Sequence, residues 1–301
     1  MPGQDSYTGN EPTEVEQTTE ERMSEHGRSA GWQLEQTASE AYEQYLVPPI
    51  FAPWADRLIE TGGVHEGEHV LDVACGTGIV ARRAASRRGD RGSVVGLDVN
   101  EEMLAVAEDT ATHEQQSVEW RQGDVTDLPF ADERFDVVFC QQALQFFDDP
   151  TAALGEMHRV LVPGGRVVLS VWRPVDYQPG YVLLAEALER HIGDEAGLMM
   201  RSPFPSWEGD YLRRLVRDAG FDDATVTIEV GDVRYPSVEE FVRREAASSP
   251  LAEPIAGVEQ AVRETLVREV ADALGEYVDD EGVISPMETY VIEATRPSSK
   301  R

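Results

Sequence analysis

Three carboxylates recur at comparable places along the chain: Asp72 in HVLDVACGTG, Asp98 in SVVGLDVN and Asp124 in RQGDVTDLPF. Each lies at or just beyond the end of a strand-like run, where side chains reach a common edge of a sheet. Gly76 and Gly78 follow Asp72 and bare the backbone at a sharp turn. The stretch GTGIVA also fits GxGxxA, the spacing that seats a dinucleotide pyrophosphate on a helix N-terminus. The acids argue about the charge of the ligand. A carboxylate four residues before Gly76 repels a pyrophosphate and attracts an ammonium or sulfonium. Asp98, 20 residues after Gly78, can accept hydrogen bonds from two ribose hydroxyls. Asp124 can accept from an adenine amino group while the Val125 amide meets a ring nitrogen. The set suits a cationic nucleoside without phosphate.

The elements that must position these groups alternate. HVLDVA, SVVGLDV, SVEWRQGD, FDVVFC and RVVLSVW read as strands, and GIVARRAASRR, EEMLAVAEDTA and TAALGEMHRVLV as helices between them. Asn100 caps the second helix, with acids in its first turn. Near-continuous apolar strands separated by helices predict a parallel sheet covered on both faces, an α/β fold with right-handed crossovers. Upstream, SEAYEQYLV leads through Pro48 and Pro49 into a helix with Ile50, Trp54 and Leu58 on one side, ended by Gly62 and Gly63. Downstream, ATVTIEVGDVRY and METYVIEATR alternate apolar and polar residues, which predicts an antiparallel pair whose arms are separated by helices. Ser237 and Glu240 form a capping box there, and a helix is expected over about 257–277. The division expected is a disordered acidic tail over 1–28 and a helical cover over 29–64. A nucleoside-binding core over 65–175 follows, then a lid, insertion and final strands over 176–301.

Bulk composition narrows the partners. Asp and Glu number 57 against 26 Lys and Arg, a formal charge of −31, and the only lysine is Lys300. Such a surface repels phosphate backbones and anionic membranes, so nucleic acid is excluded as a substrate and no integral membrane contact is expected. It also resembles the surface of a salt-adapted protein. With 41% hydrophobic residues the chain has enough apolar content for a sizeable core, and no stretch approaches the length of a membrane span. Cys75 and Cys140 are the only cysteines, which precludes a disulfide framework. Without a secretory signal pattern either, the expectation is a cytoplasmic protein. No histidine spacing or paired carboxylates suggests a metal.

S-adenosylmethionine has the chemistry the three acids call for. The motifs VLDVACGTG, VVGLDVNEEML, GDVTDLPFADERFDVVFC and EMHRVLVPGGRVVLSVW, in this order, resemble those of class I S-adenosylmethionine-dependent methyltransferases, in the branch of the quinone and sterol C-methyltransferases. The likeness spans about residues 65–173 and extends weakly through LRRLVRDAGF to the C-terminus. It implies a Rossmann-like, doubly wound sheet of seven strands, mostly parallel with the last antiparallel. It also implies roles. Gly76 and Gly78 admit the methionine part and ribose, with Ala74 lining the site. Asp72 orients the ammonium, directly or through water, and Asp98 holds the ribose diol. Val99 and Met103 sandwich the adenine, Asp124 and Val125 read its edge, and Gln141 faces the methionine moiety and the methyl group.

Plainer roles fit several of these residues. Asp72 suits a cap for the following turn, and Asp98 an acid at a helix N-terminus. Met103 shares a face with Leu104 and Ala107 as core, Asp124 and Asp127 suit turns, and Gln141 and Gln142 suit a solvated loop. A nicotinamide oxidoreductase accounts for GxGxxA and Asp98 but leaves Asp72 and GDVTDLPF unexplained. A catalytically idle cofactor-binding regulatory protein keeps every motif.

No catalytic base stands out, so transfer by proximity and in-line alignment is the mechanism expected. Aromatics outside the motifs, Tyr45, Phe146, Phe147, Trp172, Tyr177 and Phe204, are candidates for an apolar acceptor pocket. The helix around Tyr42 is a candidate lid and MMRSPFPSW (199–207) a mobile flap. A small apolar acceptor such as a quinone, phenol or lipid precursor is expected. The extra terminal signatures of a dedicated menaquinone enzyme are absent, and the helical insertion has no counterpart in that likeness.

Overall fold

A computed structural model describes residues 36–298 except Asp90 and Pro250. The acidic tail expected over 1–28 and the start of the N-terminal cover lie outside the described residues. The chain begins with α1 (Gln36–Tyr45), a wide turn over Val47–Phe51 and α2 (Ala52–Gly62), which stops at Gly63 in the left-handed conformation at φ 56°. Alternation then follows as the pattern predicts: β1 (His69–Val73), α3 (Ile79–Ala85), β2 (Ser93–Asp98), α4 (Glu101–His113), β3 (Glu119–Gln122) and β4 (Phe135–Gln141). Next come α5 (Pro150–Val160), β5 (Leu161–Trp172), α6 (Pro179–His191), α7 (Asp194–Arg201), α8 (Gly209–Asp218) and β6 (Asp222–Tyr235). The insertion comprises α9 (Val238–Ala247), α10 (Ala252–Ala256) and α11 (Gln260–Ala273). The chain closes with β7 (Val278–Asp279) and β8 (Gly282–Thr295).

The sheet runs β3-β2-β1-β4-β5-β8-β6, with β7 paired to β8. β3, β2, β1, β4 and β5 are parallel, and β8 runs antiparallel to both of its long neighbours. Among the described residues the sheet has eight strands rather than the seven expected, because the two-residue β7 folds back on the start of β8. β6 and β8 are the antiparallel arms that their alternation predicts. β8 begins five residues before METYVIEATR, so β6 and β8 stay paired as far as Tyr235 and Val283, beyond the tip of β5 at Trp172. Connections leave β1 and β4 in opposite directions, which opens a crevice at their carboxyl ends, the usual ligand position in such sheets.

The period of two sorts the strand side chains. Leu71, Val73, Val95, Val138 and Leu169 join one core with α5 and α8. Val70, Val94, Val137, Phe139 and Val168 join the opposite core with α2 and α3. A third cluster unites the N-terminal cover and the insertion: Leu46, Ile50 and Trp54 pack with Trp172, Tyr181, Phe204, Phe241, Leu266 and Val283. Among the described residues no helix is long and apolar enough to cross a membrane.

Candidate functional site

The crevice is built around the turn from β1 to α3. Ala74, Gly76 and Gly78 have φ of 51°, 54° and 81°, and the Gly78 N–H closes the turn on the Cys75 carbonyl at 2.8 Å. The two glycines serve different purposes. A Cβ at Gly78 would lie 2.3 Å from the Trp120 ring, so that glycine lets the helix start pack against β3. A Cβ at Gly76 would meet nothing within 4 Å, so there the bare backbone borders open space.

Asp98 binds this loop directly. Its Oδ2 accepts the Gly76 N–H at 2.7 Å and its Oδ1 the Asn100 N–H at 2.9 Å. A carboxylate has about four lone-pair sites, so accepting capacity remains for a ligand hydroxyl. Burial raises its pKa, opposed by these backbone bonds. Asp72, 1% exposed, shares the Val70 face of β1 and meets the start of α3, where its Oδ2 accepts the Ala81 N–H at 2.9 Å. It therefore does cap the following helix, as its plainer reading has it. Burial pushes its carboxyl up to about 8; the Ala81 bond opposes that rise and the Asp98 charge adds to it. Two buried carboxylates next to one another, with no basic side chain among the described residues bonded to either, suit a ligand that brings the positive charge.

The other expected residues divide. Val99 is 57% exposed immediately beyond Asp98, an apolar side chain presented to solvent at the rim. Met103 is buried with Leu104 and Ala107, one turn into α4, whose start Asn100 caps at the Glu102 and Met103 amides. Asp124 is exposed, and its Oδ1 accepts both the amide and hydroxyl of Thr126 at 2.8 and 2.7 Å, a turn motif that lowers its pKa. Val125 packs partly buried against the first core. Gln141, at the tip of β4, donates from Nε2 to the Phe51 carbonyl at 2.8 Å and so ties the N-terminal cover to the sheet. Its neighbour Gln142 is buried at φ 51°, bonded through Nε2 to Thr289 Oγ1 at 2.9 Å.

The structure adds groups the sequence did not single out for this site. The Tyr42 phenol, on α1, is raised well above its usual pKa by burial and then by the charges of Glu43, Asp98 and Asp72, which places it near both carboxylates. Its ring lies 5.0 Å from Phe51, which lies 6.4 Å from Trp172. Behind the turn, Arg82 is buried and bonds Glu43 Oε1 at 2.8 Å and Glu114 Oε1 at 3.2 Å, fastening α1 to α3. The aromatic candidates scatter. Trp172 and Phe204 share the third cluster, Phe147 packs on the first core, Tyr45 lies beneath Arg243 and Arg244, and Arg173 covers Tyr177. The segment 199–207, expected as a flap, has two buried anchors. Met200 and Phe204 are buried, and the Phe204 ring lies 5.0 Å from Tyr181 and 6.3 Å from Trp172. Two prolines end α7, yet the chain beyond it stays anchored through Phe204. The histidines with ring partners, His69 on Ser93, His113 on Asp109, His158 on Phe221 and His191 on Glu269, make contacts unrelated to the crevice.

Comparisons with known proteins show the family. A methyltransferase domain model matches residues 71–169, from within β1 to the later part of β5. Demethylmenaquinone methyltransferase of Staphylococcus carnosus is 33% identical over 203 residues, covering 64% of this chain and 81% of that protein. The chain belongs to the class I S-adenosylmethionine-dependent methyltransferases. The chloroplastic 2-phytyl-1,4-beta-naphthoquinone methyltransferase of Arabidopsis thaliana is 39% identical over 184 residues, 57% of this chain and 70% of that one. A solved structure from Bacillus halodurans has the same fold at 24% identity, with a TM-score of 0.53 over 81% of this chain and 99% of that one.

The residues present fit the family's cofactor. The space beside Gly76 is open, the Asp98 oxygens keep accepting capacity, and the exposed Val99 offers an apolar surface to a ring. The buried acids suit a ligand that carries an ammonium and a sulfonium, since a cation beside Asp72 would offset the burial that raises its pKa and favour the ionised form.

Proposed function

We propose that this methyltransferase methylates a small, apolar, quinone-like acceptor, and that it works by holding donor and acceptor in line rather than by acid–base chemistry. When bound, S-adenosylmethionine supplies the electrophilic methyl group. Asp98 accepts hydrogen bonds from the ribose hydroxyls, while Gly76 lets the backbone close on the methionine part, with Ala74 as wall, and Gly78 shapes the same bend by letting α3 start against Trp120. Asp72 favours the ammonium, directly or through water. Val99 and Met103 bracket the adenine, and Asp124 and Val125 read its edge. Gln141 borders the methyl group from the tip of β4.

The observation that carries the reading is the open bend at Gly76 bonded to the buried Asp98. The names of the quinone-methylating relatives support the acceptor class. The proposed division of labour keeps residues 65–175 as the cofactor core, 29–64 as a cover and 176–301 as lid and closing strands. Trp172, Phe51 and Tyr42 exclude water from the transfer, which needs the nucleophile about 3 Å from the methyl carbon and no more than that alignment. A cytoplasmic setting accompanies this reading, supported by two free, buried thiols. The test is transfer of labelled methyl from S-adenosylmethionine to a panel of demethylated naphthoquinols, phenols and lipid precursors. Label in the naphthoquinol or phenol products is the expected result. Label confined to polar acceptors would overturn the acceptor class.

A further inference from the structure

β6 ends the sheet, and no strand among the described residues pairs with its outer side. The backbone groups that face that side follow from the neighbouring strand. The Glu288 carbonyl accepts the Arg173 N–H at 3.1 Å and Gln178 Nε2 at 2.7 Å, and the Glu288 N–H donates to Gln178 Oε1 at 3.0 Å. Both groups therefore point away from β6. Val230 lies directly opposite Glu288, so its own N–H and C=O point to the free edge. Arg57 Nη1 reaches that carbonyl at 2.9 Å and leaves it a second lone pair. With the period of two, Val226, Ile228 and Asp232 also turn their backbone groups outward.

The same residues carry apolar side chains into solvent. Ile228 is 51% exposed and Val230 56%, on the face where Val226 packs against the first core. In a chain with 57 acids, ATVTIEVG (224–231) holds one charge, Glu229, and neither proline nor lysine. Soluble proteins normally blunt an edge strand with such residues, and an edge without them is a template for another strand. The irregularity between Asp222 and Thr225 limits the regular edge at its start.

We propose that this edge pairs with the same edge of a second copy of the chain, antiparallel about a two-fold axis at Ile228. The sequence is complementary to itself in that register. Ile228 faces its own counterpart, Val230 faces Val226, Glu229 faces Thr227, and Asp232 faces Ala224, so no two like charges meet. An axis one residue later would set Glu229 against itself. One residue earlier, Val230 would exchange Val226 for the small Ala224. The axis at Ile228 also makes it a hydrogen-bonded pair, since its backbone groups face outward. The charge of −31 sets the condition: two copies repel at low ionic strength, whereas molar salt shortens the screening length to about 3 Å and leaves only contacts at the interface itself. Antiparallel pairing turns the two sheets opposite ways, so both crevices stay open at opposite edges of one continuous sheet.

The test is sedimentation velocity of the full chain across a dilution series, in dilute and in molar potassium chloride. A closed dimer in molar salt that dissociates in dilute salt is expected. Ile228→Glu places like charges face to face at the axis and should weaken dimerisation at least about a hundredfold. Leu198→Glu, at an exposed residue of α7, should leave the dimer intact. Ile228→Cys supplies a readout that needs no loss of stability. A directly opposed, hydrogen-bonded pair has its Cα atoms about 5.5 Å apart, within disulfide reach, so the variant should cross-link to a covalent dimer on mild oxidation. The two native cysteines are buried and do not compete. Asp232→Cys, opposite Ala224, should not cross-link. A monomer in molar salt, open-ended aggregates in place of a dimer, a dimer that survives Ile228→Glu, or a dimer that Ile228→Cys fails to cross-link overturns the proposal. A monomer that floats with phosphatidylcholine vesicles would assign the stripe to a lipid surface and overturn it as well.

Discussion

Replacing Asp72 by Asn separates the electrostatic cost of that carboxyl from its capping role. Asn keeps an oxygen for the Ala81 N–H, now 2.9 Å from Asp72 Oδ2, and carries no charge. In the folded protein burial holds the Asp72 carboxyl near 8, against an ordinary value of 3.8. The folded state therefore binds one proton more than the unfolded chain between those values. Stability must fall as pH rises across that window. The slope is about 1.4 kcal/mol per pH unit, so from pH 5 to pH 7 the wild type loses about 3 kcal/mol through this group alone. The variant lacks that loss. Urea unfolding of both proteins at pH 5 and pH 7, at one fixed salt concentration, measures it. The stability difference, variant minus wild type, should grow by about 3 kcal/mol between the two pH values. A difference constant to within about 0.5 kcal/mol, the scatter of ordinary surface changes, would refute the buried, proton-binding state assigned to Asp72.

Four further expectations concern other parts of the frame. Gly78→Ala, with its Cβ 2.3 Å from Trp120 at φ 81°, should cost about 3 kcal/mol of stability by strain and overpacking. Gly76→Ala should cost about 1 kcal/mol yet abolish most S-adenosylhomocysteine binding, because its methyl enters the open space; thermal melts paired with calorimetry distinguish the two. Arg82→Met breaks a buried pair and should destabilise the protein by about 3 kcal/mol, and a double-mutant cycle with Glu43→Gln should show strong coupling; additive losses would mean the link between α1 and α3 carries no energy. The charge of −31 should make the melting temperature rise from low to molar potassium chloride, and equal melting at both would remove the salt-adapted reading.

The cofactor crevice was legible because its residues are short-range features of strand ends. Asp72, Asp98 and the glycine bend each belong to a strand–turn–helix unit whose hydrophobic period shows where it stops, and parallel pairing then brings the unit ends together. The arms β6 and β8 were legible from alternation alone, although β8 starts earlier than its apolar pattern suggests because the β6 ribbon gives it a partner. The features that stayed hidden depend on contacts between distant segments. Arg82 reads as one of several arginines on a solvated helix until Glu43, 39 residues away, folds over it. Glu245 reads as one more acid in VEEFVRREAA, and only the meeting of α6, β6 and α9 shows its two phenol donors. Phe204 sits among prolines that suggest a flap, and its burial follows from Tyr181 and Trp172, which no local pattern announces.

The most direct measurement is a calorimetric titration of the full chain with S-adenosylmethionine, S-adenosylhomocysteine and NADH, repeated on Asp98→Ala. One site for each adenosyl compound and none for NADH is the expected result, with affinity lowered by about 1.5–3 kcal/mol in the variant through loss of charge-assisted hydrogen bonds. Saturable NADH binding, or adenosyl affinity indifferent to Asp98, would contradict it.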